Sequence, residues 1–259
     1  MDIIAGPDGA LWFTGSLDIV QMTTSGHVTT YGPYTDGAGN YLVPSALTTG
    51  PDGAVWFTTY GHWINSGRTA TESPGYIGRV TTSGAFSLFP LSSGEPVAIT
   101  AGPDGALWFV TSGTWVNNTF VDGYIGRMST SGVVTTYGDV AGGDPSITAG
   151  PDGAVWFVAA LGIGRIATDG TVTTYPLGTD PVSITAGPDG ALWFTDYSYS
   201  PSPDFSSHSG SIGRITTSGQ VSVYASPGIY APFAITSGPG GAVWFVNYIN
   251  DTIGRVATP

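Results

Sequence analysis

Apolar positions in this chain fall in short runs separated by turn-forming residues. The clearest run, A-[LV]-W-F-[TV], follows the phrase G-P-D-G at residues 6–13, 50–57, 102–109, 150–157 and 187–194, and a sixth copy at 238–245 reads GPGGAVWF. Runs of this length, rich in Thr, Val, Ile, Trp and Tyr and bounded by Gly and Pro, read as β-strands. A second phrase, I-G-R-[IVM], stands at Ile77–Arg79, Ile125–Arg127, Ile163–Arg165, Ile212–Arg214 and Ile253–Arg255, with Ile19-Val20-Gln21 as a divergent first copy. Each unit therefore predicts four strands. Strand A is the apolar piece before GPDG, such as Ala98–Thr100 or Ser183–Thr185, strand B holds Trp-Phe, and strand C holds IGR. Strand D is V-T-T-Y, as at Val28–Tyr31, Val134–Tyr137 and Val172–Tyr175. In P-D-G and T-S-G, Pro presets φ and Gly supplies φ > 0, so both read as tight turns between antiparallel strands.

The six tryptophans Trp12, Trp56, Trp108, Trp156, Trp193 and Trp244 are 37 to 52 residues apart, the length of a four-stranded propeller blade. The expected fold is an all-β, six-bladed β-propeller of four-stranded antiparallel blades, forming a single domain over 1–259. Its units fall at approximately 1–32, 44–90, 96–138, 144–176, 181–225 and 231–259. The chain reaches Pro259 after strand C of unit 6, which predicts 23 strands and a last blade lacking its outer strand. The ring then closes by blade packing alone, the chain is a shortened one, or a partner covers that edge.

Composition supports folding and narrows the partners. The 40 Gly and 19 Pro are accounted for by hairpin turns, while a hydrophobic fraction of 41% supplies a core. With 18 acidic residues against six arginines and a net charge of -12, nucleic acid and membrane are not expected partners, because both require a cationic footprint. The absence of Cys excludes disulfides and thiolate chemistry. No apolar run is long enough to cross a membrane, so a soluble chain is expected, and whether it is secreted stays open.

Strand direction alternates, so the A–B and C–D turns share one end of each blade and the B–C and D–A connections the other. Only the second end varies. Units 2, 3 and 5 insert TTYGHWINSGRTATESPGY, TSGTWVNNTFVDGY and DYSYSPSPDFSSHSGS between strands B and C, and long variable loops on a rigid scaffold are where binding resides. These insertions carry Tyr60, His62, Trp63, Trp115, Phe120, Tyr124, Tyr197, Tyr199, Phe205 and His208, joined by Tyr34, Tyr41, Tyr230 and Phe233 from D–A connections. Aromatic residues with polar handles suit sugar faces and ring-bearing small molecules; the alternative is that they pack on one another. The repeated Trp reads as inter-blade core. The repeated Arg reads as a structural partner of the GPDG Asp, within its own blade or in the next.

The combination GPDGALWFT with IGRI-TTSG-x-VTTY resembles the streptogramin B lyase (virginiamycin B lyase) family and related NHL-type propellers, and it spans the whole chain. The resemblance implies a magnesium ion, a His general base and opening of a cyclic depsipeptide by elimination. It also implies a Glu after the Trp-Phe of strand B, in the pattern W-F-x-E. Here those positions are Gly15, Thr59, Thr111, Ala159, Asp196 and Asn247, so only Asp196 retains a carboxylate. His27 lies in a strand D. Asp196, Asp204 and His208 share one insertion and are the remaining candidates for a metal and a base, although their spacing matches no metal motif.

The favoured reading is a non-catalytic scaffold that binds a carbohydrate or small ring-containing ligand through Tyr60, His62, Trp63, Trp115, Tyr197, Tyr199, Phe205 and His208. No cofactor is expected under it. A magnesium-dependent lyase using His208 as catalytic residue, with Asp196 and Asp204 at the metal, is the alternative. A recently amplified or engineered repeat protein without a ligand is the third. A monomer is expected, with self-association at the unpaired outer edge of the last blade as a further option.

Overall fold

The computed structural model describes residues 2–60, 63–66, 69–72, 75–116, 119–140, 146–198 and 209–259. Two compact units divide the chain, Met1–Ala141 and Gly142–Pro259. In the first, blade 1 consists of β1 (Ile3–Ala5), β2 (Leu11–Thr14), β3 (Ile19–Met22) and β4 (Val28–Tyr31). Blade 2 starts with β5 (Val43–Thr49) and β6 (Val55–Tyr60). A separate two-stranded ribbon, β7 (Trp63–Ser66) and β8 (Thr69–Glu72), precedes its outer strands β9 (Tyr76–Val80) and β10 (Phe86–Pro90). Blade 3 repeats the plan with β11 (Glu95–Ala101), β12 (Leu107–Ser112), the ribbon β13 (Thr114–Val116) and β14 (Thr119–Val121), then β15 (Gly123–Met128) and β16 (Val134–Val140).

The second unit holds blade 4, from β17 (Ile147–Ala149), β18 (Val155–Ala159), β19 (Gly162–Ile166) and β20 (Val172–Pro176). Blade 5 is β21 (Pro181–Ala186), β22 (Leu192–Ser198), β23 (Ser209–Ile215) and β24 (Val221–Tyr224). Blade 6 has three strands, β25 (Pro232–Gly238), β26 (Ala242–Asn247) and β27 (Thr252–Ala257). All pairings are antiparallel in sequence order, and no helix occurs among the described residues. The fold is all-β and of the six-bladed β-propeller class, with the outer strand of the last blade missing as the repeats predict. The insertions of units 2 and 3 correct the expectation in one respect: each contains a two-stranded ribbon rather than only loop.

Packing follows from alternation along strand B. In blade 2, Val55 and Phe57 point to one side and join Trp12 and Ile19 of blade 1, while Trp56 points to the other and joins Leu107 and Phe109 of blade 3. In the second unit Trp156 packs with Leu192 and Phe194, and Trp193 with Val243 and Phe245. Within each unit, a blade thus presents a Trp face to the next blade and a Phe face to the previous one. A strand buried on both sides has no polar positions to alternate, which is why strand B reads as a continuous apolar run.

The same geometry explains the Gly of IGR. A Cβ at Gly78, Gly126, Gly164, Gly213 or Gly254 would overlap the tip of the Phe ring of its own strand B, so the Phe occupies space that any side chain would need. Where blade 6 lacks strand D, Ile253 of strand C is 73% exposed, against complete burial of the equivalent Ile77, Ile163 and Ile212. A groove of about 640 Å³ runs between β24 and β27, larger than the 340 Å³ groove at the corresponding rim of blades 1 and 2, where Phe86 of strand D fills the space.

Candidate functional site

The two ends of strand B are built differently. At the turn end, Asp8, Asp52, Asp104, Asp152 and Asp189 each accept the indole N–H of their own blade's Trp at 2.8–3.0 Å. Four of them accept a second, charge-assisted bond from the strand C arginine of the same blade: Arg79–Asp52, Arg127–Asp104, Arg165–Asp152 and Arg214–Asp189, at 2.5–2.6 Å. Gln21 takes that place beside Asp8 in blade 1. The pairing left open between own and neighbouring blade is therefore within the blade. Burial alone would raise these carboxyls, but the Trp N–H and the Arg or Gln partner hold all five below the ordinary Asp range.

An outer-strand aromatic completes the unit, stacked on the Trp at 5.2–5.5 Å in five blades. Blade 6 departs from this pattern. Gly240 replaces the Asp, Arg255 donates instead to the Gly240 carbonyl, and the Trp244 N–H is buried without a partner among the described residues.

At the B–C end the polar residues of blades 2, 3 and 6 are consumed locally. The Thr59 hydroxyl accepts the Tyr76 N–H at 3.2 Å, and the Thr111 hydroxyl accepts the Tyr124 N–H at 2.9 Å. Asn247 accepts the Tyr230 N–H and donates to the Gly228 carbonyl and the Thr252 hydroxyl. All three side chains are buried. They brace the blade end.

Asp196 is the exception. It is 5% exposed, and the hydroxyls of Thr179 and Ser211 hydrogen-bond its carboxyl, yet Oδ1 is buried with no partner among the described residues. Burial, reinforced by the nearby negative charge of Asp180, pushes its carboxyl above the ordinary range. Thr179 and Asp180 were not singled out from sequence. The signal for them is the proline at the start of strand A: Pro44, Pro96, Pro181 and Pro232 pair directly with Thr59, Thr111, Asp196 and Asn247, and in blade 5 the residue before that proline is Asp180. Each Pro sits at a β-bulge, where its missing N–H is tolerated.

The sequence-predicted binders divide between the two units. In the first compact unit, Tyr60 ends β6 and is exposed, Trp63 lies opposite Glu72 in the first ribbon, and Trp115 lies opposite Phe120 in the second. In the second compact unit, Tyr197 is half-buried and follows Asp196 in β22. His62, Tyr199, Asp204, Phe205 and His208 lie outside the described residues. Two other loop aromatics prove structural. Tyr34 is buried against Phe57 and Phe86, and Tyr124 packs edge-on to Phe109 while donating its hydroxyl to the Ser93 carbonyl. Phe233 is exposed and contacts Tyr248, a residue unmarked in the sequence reading, at 5.9 Å between ring centroids.

A hard cation takes about six or more oxygen ligands, commonly carboxylates. Among the described residues no group of three or more His, Asp or Glu side chains could hold a metal ion. Asp196 supplies one free oxygen, and Thr59, Thr111 and Asn247 are committed elsewhere. The described donors do not fit the magnesium site that the family resemblance implies.

Comparison with known proteins agrees with the repeat. The profile of the Virginiamycin B lyase family matches residues 1–114 and 68–258. Virginiamycin B lyase from Staphylococcus aureus is 30% identical over 99% of this chain and 83% of that one, with a TM-score of 0.71. A catalytically inactive form of the same lyase, with quinupristin, has a TM-score of 0.73 at 30% identity, over 99% of this chain and 83% of that one. A calcium-binding regucalcin from Agrobacterium tumefaciens shares the fold alone, at 18% identity and a TM-score of 0.59, over 96% and 83% of the two chains. Among curated protein sequences none matches. The family profile covers essentially the whole chain from both sides of its middle, and the chain belongs to the Virginiamycin B lyase family.

Proposed function

We propose that the chain is a non-catalytic binding member of its family, holding a small ring-bearing ligand or carbohydrate at the B–C end of blade 5. Asp196 is the anchor, and the exposed Phe233–Tyr248 pair with Tyr197 offers ring faces. The observation that carries this reading is the buried Oδ1 of Asp196, which has no partner among the described residues. A buried polar atom without a partner costs roughly 1–3 kcal/mol, and a ligand donor placed there recovers it. The buried polar side chains at the same position in blades 2, 3 and 6, Thr59, Thr111 and Asn247, are hydrogen-bonded to their own blade ends, which supports binding over an assembled catalytic centre.

Calorimetric titration with quinupristin and with a panel of oligosaccharides tests the reading. Saturable binding that weakens at least tenfold in Asp196→Ala, with the ligand recovered intact by mass spectrometry, is the expected result. Family membership favours one competing reading, a lyase. Recovery of ring-opened quinupristin would replace the present proposal with that one, and unchanged affinity in Asp196→Ala would remove Asp196 as the anchor.

A further inference from the structure

Five of the six blades answer their strand B tryptophan with a carboxylate from their own A–B turn. The two Asp oxygens divide the task. Oδ1 accepts the indole N–H in blades 1 to 5, and Oδ2 accepts the Arg Nε–H in blades 2 to 5. Gln21 serves Oδ2 of Asp8 in the same way in blade 1. In blade 6 the phrase GPGG puts Gly240 where that Asp stands.

Both donors keep their places in blade 6. From the position that a Cβ on the first glycine of each phrase would take, the indole nitrogen lies 2.3–2.5 Å away in all six blades, Gly238 and Trp244 included. The Arg255 Cζ lies 5.8 Å from the Trp244 ring centroid, against 5.8–6.0 Å for the equivalent pair in blades 2, 4 and 5. What changes is the acceptor. An Asp oxygen lies 2.5–2.9 Å from that same point in the other five blades, whereas beside Gly238 nothing but the Trp244 ring comes within 3.2 Å. The Gly240 carbonyl accepts one Arg255 bond at 3.2 Å, but a guanidinium has five N–H donors. The Trp244 N–H is buried with no partner among the described residues. Gly240, Trp244 and Arg255 all belong to β25–β27 and the turn within that sheet.

We propose that the A–B turn of blade 6 binds a carboxylate from outside the chain, one oxygen accepting the Trp244 N–H and the other the Arg255 guanidinium. A planar anion with two oxygens fits because the donor pair is spaced for one. The same pair holds a carboxylate in four blades, at 2.8–3.0 Å from the indole and 2.5–2.6 Å from the guanidinium. The buried N–H supplies the drive, since a donor left without an acceptor carries its full desolvation penalty, and the guanidinium makes the second bond charge-assisted. The turn beside the donors is Gly240-Gly241, both exposed and both at positive φ, so no side chain bars the approach. A small acid and an acidic peptide segment present the same group to this pair.

Nuclear magnetic resonance of the indole N–H groups tests this on the whole chain, with Trp244→Phe assigning one of the eight tryptophan signals. At constant ionic strength, replacing chloride by acetate is expected to move the Trp244 signal downfield in a saturable way and to leave the others in place. Acetyl-Gly-Pro-Asp-Gly-amide is the second probe. Tighter binding than acetate assigns the site to an acidic peptide segment, and equal or weaker binding to a small acid. Arg255→Leu is expected to raise the Kd roughly tenfold or more, as loss of a charge-assisted bond requires. Gly240→Asp restores the residue of the other five blades and is expected to shift the signal by itself and to abolish the response to either probe. Circular dichroism confirms that the variants are folded. A Trp244 signal that moves with neither probe overturns the proposal, and so does a response to acetate that is unchanged in Arg255→Leu.

Discussion

The two ends of strand B carry opposite kinds of information. At the turn end an Asp, a Trp and an Arg recur with bond lengths that vary by only a tenth or two of an ångström from blade to blade. At the B–C end the corresponding position is Gly15, Thr59, Thr111, Ala159, Asp196 or Asn247; Thr59 and Thr111 each accept a strand C N–H, Asn247 braces the connection into its own blade, and Asp196 does neither. The turn end repeats one set of bonds that stabilises each blade, while the B–C end varies from blade to blade. Of these six positions, Asp196 is the one whose side chain is buried with an oxygen lacking a partner among the described residues. Blade 6 sharpens the contrast from the other direction, since losing the Asp to Gly240 leaves the Trp244 N–H without a partner among the described residues while the blade still forms.

The largest expected effect breaks the scaffold itself. Trp156 is completely buried between Leu192 and Phe194, and Trp156→Ala is expected to destabilise by ~3–5 kcal/mol in urea unfolding followed by circular dichroism. Trp244→Ala, on a half-exposed face, should cost clearly less. Equal losses would contradict the assignment of Trp faces to inter-blade packing.

Next comes the turn-end carboxylate. Asp189→Asn leaves the Trp193 N–H an acceptor but removes the charge facing Arg214, and a loss of about 2 kcal/mol is expected. The sign with pH is fixed by the lowered carboxyls of Asp52, Asp104, Asp152 and Asp189. Their contribution is fully present above the unfolded Asp value near ~4 and is lost as pH falls through the lower folded values. Asp189→Asn should therefore flatten the acid limb of stability against pH. An unchanged limb would mean that the ion pair contributes nothing measurable.

Asp196 should behave in the reverse sense. Its raised carboxyl means that the folded protein holds the proton longer than the unfolded chain, so this group lowers stability as pH rises from about 4 through the raised value. Asp196→Asn is expected to gain about 1 kcal/mol at pH 7 while weakening ligand binding. A variant that loses stability at neutral pH would place Asp196 with the scaffold rather than the site.

Much of this division was legible in the chain. GPDG, Trp-Phe and IGR fixed the blades because their spacing is periodic and their turn chemistry is local. What was not legible depended on partners distant in sequence. Alternation puts the Arg on the Trp side but cannot choose between its own Asp and the next blade's. Tyr34 looked like a loop aromatic because Phe57 and Phe86, which bury it, belong to another blade. The ribbons at Trp63–Glu72 and Thr114–Val121 were hidden because the residue pairs between their strands, Gly67-Arg68 and Asn117-Asn118, are weaker hairpin signals than Asn-Gly or Asp-Gly. The importance of Thr179 and Asp180 emerges only when Pro181 is seen to pair with Asp196.

The smallest expected effect tests the B–C end as a surface free of structural duty. Tyr60 closes β6 opposite Val43 and is 42% exposed, with no ring stacked on it among the described residues. Tyr60→Ala should change the unfolding free energy by less than about 0.5 kcal/mol, the range of ordinary surface substitutions, whereas Tyr124→Phe, which removes the hydroxyl bonded to the Ser93 carbonyl at 2.8 Å, should cost about 1 kcal/mol. Both residues border the insertions and looked alike in sequence. A loss in Tyr60→Ala as large as that in Tyr124→Phe would show that the exposed aromatics of this end also hold the blade together, and the separation between a fixed turn end and a free B–C end would not stand for blade 2.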